Sequence, residues 1–152
     1  MAEPQRELIL QAIEARLQTC RVAAGYRTDV HTVERRVKTP AETVSKRPWL
    51  GIATEGEDRV TNTYARTQRK VMNIVVFGYL DAGKQQMDIK DKKTNRLVDD
   101  LRKLLMADQR MGGTCTMVTI VGEETSEGNA ELDATVKIRA EVVYHQAFDQ
   151  LT

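Results

Sequence analysis

The feature that most constrains the fold is the apolar run VMNIVVFGY at residues 71–79. It is the longest apolar run in the chain, and it is rich in β-branched and aromatic residues. This composition is typical of a central strand buried on both faces. The residues before it, 61–70, are mostly polar, and they predict either one long strand or two strands broken by a bend. We therefore expect a sheet built around this run.

Two segments have the apolar spacing of amphipathic helices. The first extends from about Gln5 to Ala23 and should end at Gly25, and the second extends from about Thr94 to Ala107. The glycine pair after Met111 interrupts the second helix. Residues 81–94 are highly charged and are predicted to be a connection.

Four further segments predict strands. These are Tyr26–Val37 near a sheet edge, a short strand at Trp49–Ala53, and a closing hairpin formed by Thr114–Val121 and Leu132–Tyr144 around an acidic turn at 123–129. Only one connection could be a β-α-β crossover. The chain should therefore form an α/β structure of the α+β type, with a mixed, mostly antiparallel sheet and two helices packed on one face. All 152 residues are expected to form a single domain.

Composition narrows the classes of protein to consider. With 41% hydrophobic and 30% charged residues the chain should be globular, and a net charge of +1 does not indicate a nucleic-acid binder. No run reaches the roughly 18 apolar residues of a membrane span, and no secretory signal is evident at the N-terminus. Cys20 and Cys115 are far apart and lack a CxxC motif, so we expect reduced core thiols in a protein made in a cytoplasm.

The sequence offers weak candidates for chemistry. Residues Gly78–Lys84 fit the phosphate-loop pattern G-x-x-x-x-G-K, but Gln85 stands where a nucleotide site needs Ser or Thr. We therefore rank nucleotide binding low. His31 and His145 have no second ligand at metal spacing. We expect that the protein is not an enzyme and that it binds neither a cofactor nor a metal.

Basic residues cluster between positions 35 and 47, and others lie at 66 and in the charged connection. As the simplest interpretation this cluster is a solvated edge, and the functional alternative is a contact for an acidic protein or for DNA phosphates. Acidic turns at 55–58 and 123–127 could complement it between subunits of a head-to-tail ring. The candidate interface residues are Arg35, Arg36, Lys38, Lys46, Arg47, Arg66, Lys84, Lys90, Lys92 and Lys93.

The order of elements resembles that of the bacteriophage tail terminator family, the minor tail protein U-like proteins. The resemblance covers nearly the whole chain. It rests on the helix ending in Ala24-Gly25-Tyr26, the strand TDVHTVERR, the segment Pro48-Trp49-Leu50, the EGED turn, the helix NRLVDDLRKLL before a Gly-Gly break, and the strand ending VVYH.

This resemblance implies a structural virion protein at the head-proximal end of the tail. Members of the family form hexameric rings that cap the tail tube, stop its polymerisation and present a surface for head or neck joining. The implied partners are further copies of the chain, the tail tube protein and the neck or connector protein, with non-specific contact to DNA passing through the ring lumen. The alternatives are a neck or head–tail completion protein, a nucleotide-binding protein, and a host protein that binds nucleic acid through the basic cluster.

Overall fold

The fold is known from a computed structural model, which describes residues 4–36, 46–56, 58–62, 67–80, 87–126 and 134–147. Within these residues there are two helices, six strands and two short 3₁₀ turns. In chain order they are α1 (Gln5–Leu17), a 3₁₀ turn (Val22–Ala24), β1 (Thr32–Glu34), β2 (Trp49–Thr54), β3 (Arg59–Asn62), β4 (Thr67–Leu80), α2 (Met87–Ala107), a 3₁₀ turn (Met111–Gly113), β5 (Met117–Ser126) and β6 (Ala134–Ala147).

The strands form one mixed, mostly antiparallel sheet in the order β1-β2-β4-β6-β5, and β3 pairs with the first part of β4. Only the β1–β2 pair is parallel among the described pairs. β4 and β6 pair along fourteen residues each and make the middle of the sheet. The predicted fold class, α+β with two helices and a mostly antiparallel sheet, is confirmed.

The main core lies between one face of the sheet and both helices. Alternate residues of β4 face the helices because side chains along a strand alternate between its two faces. The buried residues of this layer include Ile9, Ile13 and Leu17 of α1, Leu97, Leu101 and Leu104 of α2, and Met72, Ile74 and Val76 of β4. On the other face of β4, Val71 and Val75 are also buried. The prediction that residues 71–79 form a central strand is therefore confirmed.

Gly78 is a packing residue of this core. A Cβ at Gly78 would lie 3.1 Å from Cδ2 of Leu97 and 3.2 Å from Cδ2 of Leu50. The missing side chain thus lets α2 and β2 approach β4 closely. Gly78 lies inside β4 and not in a loop.

Several predicted boundaries were wrong. α1 ends at Leu17 rather than at Ala23, and the Thr19 hydroxyl donates to the Arg16 carbonyl just beyond that end. A hydroxyl bond of this kind competes with continued helix formation. Cys20 consequently lies after the helix, where its side chain is buried.

The second helix begins earlier than predicted, at Met87 instead of Thr94. Its first turns carry many charged residues, so they lack the apolar stripe on which the prediction depended. The polar segment before residue 71 forms two strands, as one of the two alternatives proposed, because β3 folds back to pair with β4.

The remaining corrections concern edge strands. β1 has three residues, far fewer than the predicted Tyr26–Val37, although it does lie at a sheet edge. β5 extends to Ser126, through residues predicted to be an acidic turn. Charged residues are tolerated there because β5 is the terminal strand of the sheet. Its pairing with β6 confirms the predicted hairpin.

Neither helix in the described part of the chain is long and apolar enough to cross a membrane.

Candidate assembly surfaces

A basic groove lies at the end of the sheet where β4 finishes and β2 begins. Its cavity measures about 470 Å³ and is lined by Leu80, by Pro48 before β2, by part of α2 and by the segment that leads to β1. Four cationic side chains line it, and these residues define the basic groove: Arg27, Arg47, Lys93 and Arg96.

The backbone of the loop that carries Arg27 is fixed from two sides. The amide of Arg27 donates to Oδ2 of Asp100 at 3.0 Å, and Asp100 of α2 is only 1% exposed. Within the loop, the amide of Val22 donates to Oδ1 of Asp29 at 2.6 Å. Gly25 has φ of 99°, a left-handed conformation that glycine adopts without steric cost. The loop is anchored while the Arg27 side chain remains exposed.

Arg47 enters the groove from the aromatic side of the sheet. Its guanidinium lies 5.9 Å from the centre of the Tyr79 ring, and that ring stacks on the buried Trp49 with 5.5 Å between centroids. An arginine held over an aromatic face is stabilised by the ring quadrupole and keeps its charge. The stacked pair therefore positions a half-buried cation at the groove wall.

Lys93 and Arg96 approach the groove from α2, three residues apart and so on one face of the helix. Within the described residues neither of them, nor Arg27, forms an ion pair. The acidic residue in the lining is Asp29, whose Oδ1 already accepts the Val22 amide. Several cations sharing one concave surface raise the local potential and attract anions. The groove can thus hold a carboxylate or a phosphate.

A second group of basic residues, here the paired cluster, consists of Arg35, Arg36 and Lys46. Arg35 bonds to the Glu7 carboxylate of α1, while Arg36 and Lys46 both pair with Glu34, at 2.9 and 3.2 Å. The bond from Arg35 is the largest cause that lowers the pKa of Glu7 below its ordinary value of 4.5. The charge of the paired cluster is therefore largely neutralised within the subunit.

The opposite edge of the sheet is acidic. β5 is the terminal strand on that side, and Glu123 is exposed there without a partner among the described residues. Its neighbour Glu124 pairs with Arg139 at 2.7 Å but remains 60% exposed. From residue 122 to residue 133 the sequence contains acidic residues and no Lys or Arg. We call Glu123 and Glu124 the acidic edge.

A bulge gives this edge its shape. The register between β5 and β6 shifts between Ile120 and Gly122, and Val121 at the shift is 55% exposed. A bulge leaves one residue outside the ladder and bends the strand. The bulge separates the apolar first half of β5 from the acidic edge.

Of the predicted interface residues, Arg47 and Lys93 meet in the basic groove. Arg35, Arg36 and Lys46 lie in the paired cluster, and Lys92 is exposed on α2 outside the groove lining. Lys90 belongs to α2, but its side chain lies outside the described part, as do all of Lys38, Arg66 and Lys84.

Sequence reasoning missed Arg27 and Arg96. No local motif marks either residue, because the groove is assembled from four separate segments of the chain. The available signal was weak: Arg96 follows Lys93 at helical spacing within a stretch that was predicted to be partly loop.

The phosphate-loop pattern is not a loop at its first residues, since Gly78 lies in β4 and packs under α2. Residues 81–84 of that pattern lie outside the described chain. Among the described residues, no three His, Cys, Asp or Glu side chains converge as metal ligands would.

A scan against protein-family models found no family that matches this chain, and a search of curated proteins found no significant match.

Proposed function

We propose that this protein is a structural virion component of the tail terminator type. Copies of it form a closed ring, expected to be a hexamer, that caps the phage tail tube, ends its polymerisation and presents a surface for joining to the head or neck. Its site of action is the head-proximal end of the tail. DNA passing through the ring would make non-specific contacts with it.

One observation carries this proposal: one subunit has a basic groove at the end of β4 and an acidic terminal strand, β5, as two separate surfaces of unlike charge. The basic groove adjoins the β1–β2 side and the acidic edge lies on β5. Unlike surfaces on opposite sides of one subunit favour head-to-tail association, and repeated head-to-tail contacts generate rings when the rotation closes. A symmetric dimer would instead need one self-complementary patch.

The layering of the fold also supports a building-block role. Both helices of the described residues pack on the same face of the sheet. Exposed apolar side chains occur in β3 and β5, where Val60 is 53% and Met117 is 46% exposed. Separate apolar positions of this kind add to an interface whose register is set by charges.

The alternative is a neck or head–tail completion protein, which would form a ring by the same unlike edges. The two functions differ in what the ring binds first. A terminator binds the growing end of a bare tail tube, and a neck protein binds a tube or a head that has already been closed.

The test is tube assembly in vitro with the tail tube protein encoded in the same genome. We expect added protein to shorten the tubes and to leave a ring at one end, as measured by negative-stain electron microscopy. Unchanged tube lengths together with bare ends would contradict a terminator. Rings that bind only tubes already capped by another protein would favour the neck protein.

A further inference from the structure

The basic groove and the acidic edge lie at the same end of the sheet. Gly78 of β4 pairs with Val136 of β6, and on the far side of β6 Val136 pairs with Thr125. Through β6, Glu124 is level with Phe77 and Glu123 with Val76, so both lie three to four residues, roughly 10–13 Å, short of Leu80 at the groove. Three strand spacings, about 14 Å, separate β5 from β2 across the sheet.

We propose that the basic groove of one subunit receives the carboxylate of Glu123 from a second copy of this chain, with Glu124, whose side chain leaves the opposite face of β5 and pairs with Arg139, beside the contact. This inference rests on the proposed ring and names the surfaces that would join its subunits. Arg27, Lys93 and Arg96 have no ion partner within the described residues of their own subunit, and Glu123 has none either. Docking would supply a carboxylate to the groove cations and cations to Glu123.

The arrangement favours a second copy over nucleic acid as the occupant. A phosphate backbone is recognised by an extended row of free cations. Here the row does not continue, because the paired cluster next along the β1 edge is held by Glu7 and Glu34. The groove is thus a local acceptor, suited to a single exposed carboxylate.

The test uses two charge-reversed forms of the full chain. The groove variant is Arg27→Glu/Arg96→Glu, and the edge variant is Glu123→Lys/Glu124→Lys. Arg47 is left unchanged because it packs on Tyr79. The matched control is Lys92→Glu/Arg110→Glu, which alters exposed cations outside the groove lining by the same total charge. Circular dichroism and the melting temperature establish that each variant folds.

In light scattering, we expect wild type and control to form rings and each reversed variant alone to be monomeric. Mixed in equal amounts, the two variants should form rings again. The reversed edge of each edge-variant subunit meets a reversed groove, while the normal edge of each groove-variant subunit meets a normal groove. Such a ring alternates the two variants and needs an even number of subunits, as a hexamer has.

Three results would overturn the inference. Rings formed by either variant alone would show that assembly uses other surfaces, which leaves the proposed ring function standing. Failure of the mixture to assemble, with both variants folded, would exclude the groove–edge contact. The proposed ring function would again remain standing. Wild type that remains monomeric, and that binds duplex DNA through Arg27 and Arg96 in a salt-dependent manner, would reject both the docking and the ring in solution in favour of nucleic acid.

Discussion

The two basic regions of this molecule contain similar residues and differ in what faces them. In the paired cluster, Arg35, Arg36 and Lys46 are held by carboxylates of the same subunit. In the basic groove, Arg27, Lys93 and Arg96 surround a cavity of about 470 Å³ and have no such partners in the part of the chain that the structure describes. Density of positive charge in a sequence therefore does not reveal which cations are available. Availability depends on the acidic residues that the fold brings beside them.

The close backbone approach beneath the paired cluster should give the largest effect on stability. A Cβ at Gly51 would lie 2.6 Å from the carbonyl oxygen of Arg36 and would overlap the buried Trp49 ring. We expect Gly51→Ala to lower the free energy of unfolding by about 3 kcal/mol, since backbone cannot move aside cheaply. Urea denaturation measures this. Gly122→Ala is the control, because its Cβ would come no closer than 3.9 Å to Arg139, and equal losses in the two variants would refute the packing argument.

The loop that carries Arg27 should depend on Asp100, the buried acceptor of its backbone hydrogen bond. Asp100→Ala removes the acceptor of the Arg27 amide in a site that is 1% exposed, and we expect a loss of about 2 kcal/mol in unfolding free energy. Asp99→Ala is the matched control one residue away. Within the described residues Asp99 pairs with the exposed Arg102 and Lys103, so its removal should cost much less than the removal of Asp100. A larger loss of unfolding free energy in Asp99→Ala than in Asp100→Ala would mean that the loop carrying Arg27 is not anchored by α2.

A single substitution can reduce the neutralisation of positive charge in the paired cluster and so make it more like the basic groove. Glu34→Gln withdraws the carboxylate shared by Arg36 and Lys46, at a cost of at most about 1 kcal/mol in stability. Removing this negative charge from the paired cluster should increase retention on a heparin column. Glu141→Gln, which removes the carboxylate paired with Arg59 of β3, provides the comparison. If Glu34→Gln leaves retention unchanged, ion pairing is not what distinguishes the two basic regions.

The smallest expected effect is a change in the pKa of Glu7. Because the folded-state pKa of Glu7 is lowered by Arg35, its contribution to stability is present above pH 4.5 and is lost as the pH falls through the lowered pKa. Arg35→Gln should raise the Glu7 pKa toward its ordinary value, as followed by carboxyl NMR. Arg27→Gln should leave the Glu7 pKa where it is. A response of Glu7 to Arg27 would mean that the two basic regions are not electrostatically separate.

Much of the fold could be predicted because burial leaves a compositional trace. The run at 71–79 is apolar on both faces because β4 lies at the centre of the sheet, and the alternation in β6 reflects one buried and one exposed face. The start of α2 at Met87 and the extension of β5 to Ser126 were missed for the opposite reason. Charged residues occupy both places, so neither shows an apolar period.

The candidate site could be predicted only in part. Arg47 and Lys93 stood out as members of charged stretches, and both line the groove. Arg27 and Arg96 could be assigned to the groove only from the structure, in which the hydrogen bond from the Arg27 amide to Asp100 holds the loop before β1 against α2. Ion pairing between distant positions, such as Arg35 with Glu7, is a tertiary property that local spacing does not encode.

The most direct measurement is the mass of the purified wild-type protein by light scattering across a concentration series, with negative-stain images of the same samples. Head-to-tail association through unlike edges predicts a closed ring, expected to contain six subunits, that weakens as salt screens the contact. A two-fold symmetric dimer would contradict it, since that particle needs a self-complementary patch. A strict monomer, both alone and with tail tube protein present, would contradict it as well.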